Sequence, residues 1–427
     1  MREINLVEYE TRFIDGLSLD PIDRRLRREL ESTEPKKARL VIEERDGGLF
    51  FKASYWVGVA HFQNFSVQVK PKLVGSEHAL LDMLAFSTHA FDFRAFIAKR
   101  TYQAAEDAPL VEWFAYMLLY EVETLLQHGL LSDYVEKENL LPAVRGRILY
   151  DQQILKRFGV VDKIYCRFDE RTQDILENQI LSLGLSIASR LVSNRILKRR
   201  LKNLVSEFGY IANHESLNRK DARRISHNSL NVHYRDAHNI VFLLMDNVGL
   251  DSFYDSGDTR GTSFFLNMIT IFEKFVTRLT KVTLGKRFRV DFQHRDASII
   301  RYSDGEPYRE IRPDVLVQER STRRYLPIDA KYKLFDDKKI SSADIYQLSF
   351  HANAYNEEGL PAALIIYPKP EGHKVDVLHL QNARKLEMGR LVTLGIDIPA
   401  FLESNRLNES PAEVRRAFTS VDLHPGS

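Results

Sequence analysis

The chain has 427 residues, with 61 Lys and Arg against 59 Asp and Glu, so any polyanion must be met by local patches and not by a generally basic chain. Apolar residues at 44% and charged residues at 28% are proportions of a folded protein, and the length exceeds one ordinary core, so two or three domains are expected. Cys166 is the only cysteine, which excludes an internal disulfide and a cysteine-built zinc site.

The first residues, Met1-Arg2-Glu3-Ile4-Asn5, run into charged sequence without the apolar stretch of a signal peptide. No apolar run is long enough to span a bilayer, so a cytoplasmic protein without membrane contact is expected. Residues 1–75 read as a small β-rich domain, with strands at 39–43, 49–53 and 57–69 and a hairpin signal at Gly47-Gly48. Residues 76–212 read as a mainly helical middle region. Leu80, Leu81, Leu84 and Ala85 stand at helical spacing, and so do Leu110, Phe114, Met117, Leu118, Val122 and Leu125 over 108–128.

The polar stretch 133–157, punctuated by Pro142 and Gly146, reads as a projecting loop or hairpin, and 160–168 alternates like a strand. One long helix is expected over 173–208. Its Arg195, Lys198, Arg199, Arg200 and Lys202 line either a solvated face or a contact with phosphate. Residues 213–234, rich in Asn, Ser, Arg and His, read as a linker.

Residues 235–427 read as a third domain. Helices are expected at 237–248 and 263–283, strands at 287–293, 297–302, 314–318 and 325–330, a helix at 342–356, and strands at 363–367 and 375–380. That order gives a mixed sheet flanked by helices, and the chain as a whole reads as multi-domain α/β.

The chemistry gathers in this last domain. Arg312-Pro313-Asp314 opens one strand and Asp329-Ala330-Lys331 closes the next, with hairpin spacing between them. Asp329 and Lys331 are two apart and share a strand face, while the Ala330 side chain points away and leaves its carbonyl as a metal donor. Hydrolysis of a phosphodiester needs a divalent metal, carboxylates to hold it and a group to direct water. Asp314 and Asp329 are the expected ligands of Mg2+ or Mn2+, and Lys331 the group that places water or faces the charged transition state.

Glu273, among Phe265, Leu266, Ile269, Phe272 and Val276, is either a further ligand, direct or through water, or a surface glutamate. Gln347, on a helix with Asp344, Tyr346 and Tyr355, is expected to meet phosphate or the lysine. The pattern is that of a PD-(D/E)xK endonuclease. No G-x-x-x-x-G-K-[ST] loop occurs, so the chain is not expected to bind a nucleotide by itself, and no H-E-x-x-H is present. His351 reads as a helix-face residue and Cys166 as core.

Further motifs extend along the chain: Gly58-Val59 through Val67-Gln68-Val69-Lys70-Pro71-Lys72, then Leu80-Leu81-Asp82-Met83-Leu84, Gly129-Leu130, Tyr134, Arg145-Gly146-Arg147, and Cys166-Arg167-Phe168-Asp169-Glu170 leading to Asp174, Glu177 and Asn178. With Arg312-Pro313-Asp314 and Asp329-Ala330-Lys331-Tyr332, this set resembles the McrC family, the nuclease subunit of McrBC-type modification-dependent (type IV) restriction systems. The resemblance implies a partner of the McrB type, a ring-forming AAA+ GTPase motor that recognises 5-methylcytosine.

It also implies double-stranded, methylated DNA as substrate, residues 1 to about 210 as the motor-binding and stimulating part, and 133–157 as the inserting finger. Cutting both strands implies pairing of two nuclease domains. Two other readings stand beside this one: a stand-alone RecB-like repair nuclease, which leaves the N-terminal half without a role, and a non-catalytic activator of an AAA+ partner.

Overall fold

The computed structural model describes residues 2–32, 37–88, 108–160, 162–214, 217, 219–248, 261–322, 324–333, 340–356 and 359–421. The chain divides into two compact units, Met1–Gln103 together with Gly257–Ser427, and Ala104–Ser256. Sequence order and unit order therefore differ. The second unit is an insertion in the first.

The first unit begins with β1 (Arg2–Val7), β2 (Thr11–Asp15), α1 (Arg24–Glu31), β3 (Leu40–Arg45), β4 (Gly48–Ala53), β5 (Trp56–His61), β6 (Phe65–Lys70) and α2 (Glu77–Thr88). β2, β4 and β3 form one antiparallel sheet, which includes the strands expected around Gly47-Gly48. β1 and β6 pair in parallel and β5 runs antiparallel to β6. Phe51, Phe65, Val67 and Leu40 are fully buried in the core beneath these strands.

The inserted unit follows: α3 (Leu110–His128), β7 (Asp133–Leu141), β8 (Arg147–Ile148), α4 (Tyr150–Arg157), β9 (Ile164–Thr172), α5 (Leu176–Leu191), α6 (Arg195–Ile211), α7 (Arg219–Ala222) and α8 (Arg235–Asn247). The single helix expected over 173–208 is two helices. The first ends at Leu191, with Val192 extended, and Asn194 caps the second, its side chain accepting from Ile196 N at 3.0 Å and Leu197 N at 3.1 Å.

α5 crosses α8 closely at Gly184, where a Cβ would lie 2.2 Å from Val241 Cγ2. The stretch 133–157 is a strand, a turn and a helix: β7, β9 and β8 form an antiparallel sheet, with β9 between the other two. Gly146, at φ 67°, makes the turn into β8.

The expected linker at 213–234 is instead part of this unit. Its Ala222 and Tyr234 are fully buried, and the Tyr234 hydroxyl donates to Asn178 Oδ1 at 3.0 Å while accepting from Leu131 N at 2.9 Å. Polar composition misled here because the polar groups are partnered inside the fold.

The first unit resumes with β10 (Thr262–Asn267), α9 (Met268–Leu284), β11 (Phe288–Phe292), β12 (Asp296–Arg301), β13 (Pro307–Ile311), β14 (Val315–Glu319), β15 (Tyr325–Ala330), α10 (Ser342–Ala354), β16 (Ala362–Pro368), β17 (Lys374–Gln381), β18 (Glu387–Ile396), α11 (Ile398–Arg406) and α12 (Ala412–Thr419). The helix expected over 263–283 begins later, because Ser263 to Leu266 form a buried strand. Asn267 caps the helix by accepting from Thr270 N.

β10 pairs antiparallel with β5 and completes the sheet β1-β6-β5-β10. A domain boundary near residue 75 and a separable part ending near 210 are thus replaced by a sheet built from both ends of the chain. The large sheet is mixed, in the order β11-β14-β15-β16-β18-β17, with β15, β16 and β18 parallel. β12 and β13 form a separate hairpin.

Candidate active site

β14 and β15 pair with Val315 opposite Ile328. Extending that register by one residue sets Asp314 opposite Asp329, which puts both carboxylates on one face of the sheet. Asp314 Oδ2 accepts from Ala330 N at 2.8 Å. On its other side β15 pairs in parallel with β16, Asp329 facing Ile365. Ile365 packs with Leu348 and Ala352 of α10, so the face that carries Asp329 is the one α10 covers.

Lys331 Nζ lies 3.0 Å from Asp329 Oδ2, as expected for residues two apart on one face, and 3.3 Å from Asp344 Oδ1. Asp344 stands in the first turn of α10. It is held there by Ser341, whose hydroxyl donates to Asp344 Oδ2 at 2.7 Å.

Glu273, midway along α9, stands at the margin of this group. Its Oε2 accepts from Gln293 Nε2 at 2.7 Å, and Gln293 Oε1 in turn accepts from Arg312. Gln293 also donates from its main chain to Asp314 O at 2.7 Å, so one side chain and its backbone tie α9 to the entrance of β14. Gln347 is exposed on α10; the α10 side chain at Lys331 is Asp344. His351, one turn beyond Gln347, is buried, its Nδ1 has no hydrogen-bond partner, and it lies close enough to Asp329 to feel its charge.

The electrostatics are those of crowded, desolvated acids. Burial, with the neighbouring Asp329 charge, pushes Asp314 up to about 7. Burial likewise raises Asp329, against the pull of Lys331, and raises Glu273, against its hydrogen bond from Gln293. Burial alone would lower Lys331, but Asp329 and Asp344 overcome it and keep the ammonium charged. Burial also holds His351 below the usual histidine range.

Four carboxylates thus face two cations, Lys331 and Arg312, and Asp329 Oδ2 has the ammonium beside it without a well-aligned hydrogen bond. Excess buried negative charge with a spare oxygen lone pair suits a hard divalent cation. Among the described residues no group of three His, Cys, Asp or Glu stands together as a metal site.

Of the residues singled out in the sequence, Asp314, Asp329, Ala330 and Lys331 come together, Glu273 borders them and Gln347 is exposed on α10, one turn from Asp344 and from His351. Gln293, Asp344 as the lysine's partner and His351 carried no motif. Only the fold brings them in.

In the inserted unit, no residue of α4 is buried. Ile154, Leu155 and Phe158 at and just beyond its end are 56%, 84% and 84% exposed. The strand beside it is tied by Arg167 to Glu138 at 2.6 Å and by Lys137 to Glu170 at 2.7 Å, and Cys166 is buried under it.

Residues 51–368 match the family described as McrBC 5-methylcytosine restriction system component. Among solved structures, the chain is similar to one in a refined half-complex from a tetradecameric assembly of Thermococcus gammatolerans McrB AAA+ hexamers with bound McrC. The TM-score is 0.63 at 18% identity, over 98% of this chain and 100% of that chain. A chain of the cryo-EM structure of the Thermococcus gammatolerans McrBC complex aligns with a TM-score of 0.47 at 20% identity, over 66% of this chain and 88% of that one. No curated protein matches the chain. Likeness at the first of these identities speaks for a shared fold. No helix among the described residues is long and apolar enough to cross a membrane.

Proposed function

Because the chain belongs to the family of McrBC 5-methylcytosine restriction system components, we propose that it is the McrC-type nuclease subunit of such a system. In this reading it cuts double-stranded DNA with Mg2+ or Mn2+ through a PD-(D/E)xK centre and stimulates the GTP hydrolysis of an McrB-type AAA+ partner. The observation that carries the proposal is the pairing of Asp314 with Asp329 across β14 and β15, with Lys331 Nζ 3.0 Å from Asp329 Oδ2.

Asp314, Asp329 and the Ala330 carbonyl would hold the metal, with Glu273 reaching it through water. When bound, the metal neutralises charge at the scissile phosphate and makes its water a better nucleophile. Asp329 and Asp344 keep Lys331 protonated and aimed along the sheet face, where it orients the attacking water and faces the phosphate charge. Arg312, tied to Gln293, adds positive charge beside Glu273. Two such centres, paired, would cut both strands.

The test is cleavage of a duplex carrying 5-methylcytosine by the full chain with its AAA+ partner, GTP and Mg2+. Wild type is expected to cut, and Lys331→Ala to lose about 10²-fold or more in rate while still stimulating GTP hydrolysis. Full cutting by Lys331→Ala would remove this centre.

The exposed apolar residues around α4 fit the role of partner contact, since a monomer gains nothing by leaving Leu155 and Phe158 in water. Changing both to aspartate is expected to cut stimulation of the partner's GTP hydrolysis by about tenfold or more. The chain's own unfolding midpoint should stay in place. Undiminished stimulation would take this surface out of the proposal.

A further inference from the structure

β15 ends at Ala330, and the last sheet bond beyond it is from Lys331 N to Ile366 O at 2.9 Å. The chain then turns tightly, Lys333 N donating to Lys331 O at 2.8 Å. Lys331 therefore sits where the ladder stops, and its position depends on what holds the next residue. That residue, Tyr332, is buried, and its ring lies 5.6 Å from Phe272, the neighbour of Glu273.

The Tyr332 hydroxyl donates to Glu8 Oε2 at 3.1 Å, and the Tyr332 carbonyl accepts from the Tyr9 hydroxyl at 3.4 Å. Both partners follow directly on β1, at the opposite end of the sequence. Glu8 is fully buried. The same Oε2 accepts from Lys72 N at 2.7 Å and Leu73 N at 3.3 Å, and its Oε1 has no hydrogen-bond partner.

A buried carboxylate with an unsatisfied oxygen is costly, and an apolar side chain would pack the same space more stably. Burial pushes Glu8 up to about 7, and burial beside Glu8 keeps the Tyr332 phenol protonated as a donor. What the carboxylate provides that an apolar group would not is three convergent bonds, which join β1, the segment after β6 and the residue after Lys331.

We propose that Glu8 and Tyr332 are positioning residues that clamp the end of β15, so that the N-terminal sheet sets where the Lys331 ammonium stands. The inference rests on the nuclease reading above. It adds that residues at the start of the chain belong to the support of the reaction centre and not only to partner binding.

The experiment uses the full chain with its AAA+ partner, GTP and a 5-methylcytosine duplex, and reads single-turnover cleavage against Mg2+ concentration beside GTP hydrolysis. Tyr332→Phe, which keeps the ring on Phe272, is expected to lower the rate at saturating Mg2+ by about 10- to 100-fold. The half-saturating Mg2+ should move by less than about twofold, with stimulation of GTP hydrolysis kept.

Glu8→Ala should lose rate likewise, and Glu8→Gln, whose carbonyl can still accept these bonds, should recover to within about threefold of wild type. If Glu8→Ala does not fold, Tyr332→Phe and Glu8→Gln decide. A Tyr332→Phe protein that cuts at the wild-type rate overturns the clamp. Asp314→Ala runs in parallel: should it cut normally, or wild type not cut at all, the nuclease reading falls and the clamp with it. An inactive Asp314→Ala beside a fully active Tyr332→Phe removes the clamp alone.

Discussion

Asp314→Asn is expected to abolish metal-dependent cleavage and, in the same molecule, to stabilise the metal-free fold at neutral pH. The first effect follows from losing one of two carboxylates that would carry the metal, a loss of more than about 10²-fold. The second follows from electrostatics. Burial and Asp329 push Asp314 up to about 7, whereas an unfolded aspartate titrates near 3.8.

The native state therefore holds this proton more tightly than the unfolded state. The stability it contributes is fully present below about 4 and is lost as pH rises through about 7. Asparagine presents the neutral form at every pH and keeps an oxygen to accept from Ala330 N. The variant's advantage should therefore grow by on the order of 2–3 kcal/mol between pH 5 and pH 8. Metal-free urea unfolding at the two pH values reads this directly. An equal gap at both would show that desolvation of Asp314 is not what burdens the site.

Gly58→Val should be among the most destabilising single changes in the first unit. Gly58 faces Phe265 across β5 and β10, and a Cβ there would lie 1.9 Å from Phe264 O. No rotamer relieves a clash of Cβ with main chain, so β5 and β10 must separate. β10 runs into Asn267, the cap of α9, and α9 carries Glu273. A loss of about 3 kcal/mol or more is expected. Denaturant midpoints measure it, and hydrogen exchange should show residues 262–267 losing protection. A variant with a wild-type midpoint would mean that β10 is not held against β5.

The grouping of Asp314, Asp329 and Lys331 was legible because these residues are local in sequence. One hairpin brings Asp314 to Asp329, and strand periodicity brings Lys331 to the same face. The surroundings were not legible for the complementary reason. Gln293, Asp344 and His351 reach the centre from β11's end and from α10, and none has a spacing that distinguishes it from any surface polar residue. The expectation for Gln347 chose the right helix, and its neighbours one turn away on either side, Asp344 and His351, are the α10 residues close to Lys331 and Asp329. Asp344, three residues earlier, is drawn in by its own cap to Ser341.

Domain boundaries failed where long-range pairing decides. Nothing in Thr262 to Asn267 says that its partner is Trp56 to His61, and the apolar run continues into α9 so smoothly that it reads as helix. The segment 213–234 looked like a linker because its polar residues are satisfied by groups far away in sequence, Asn231 by Glu177 and Tyr234 by Asn178.

That pairing of β10 with β5 also sets a condition on biosynthesis. When β5 and β6 leave the ribosome, the strand that will cover β5 lies about 200 residues further on, which at ordinary elongation rates is a delay of roughly 10–40 s. Through that interval the inserted helices can fold on their own, while the free edge of β5, with Val57, Val59 and Ala60, stays open to any passing strand. A chain cut short or stalled before residue 262 would keep that edge exposed, and its expected fate is aggregation or capture by a chaperone.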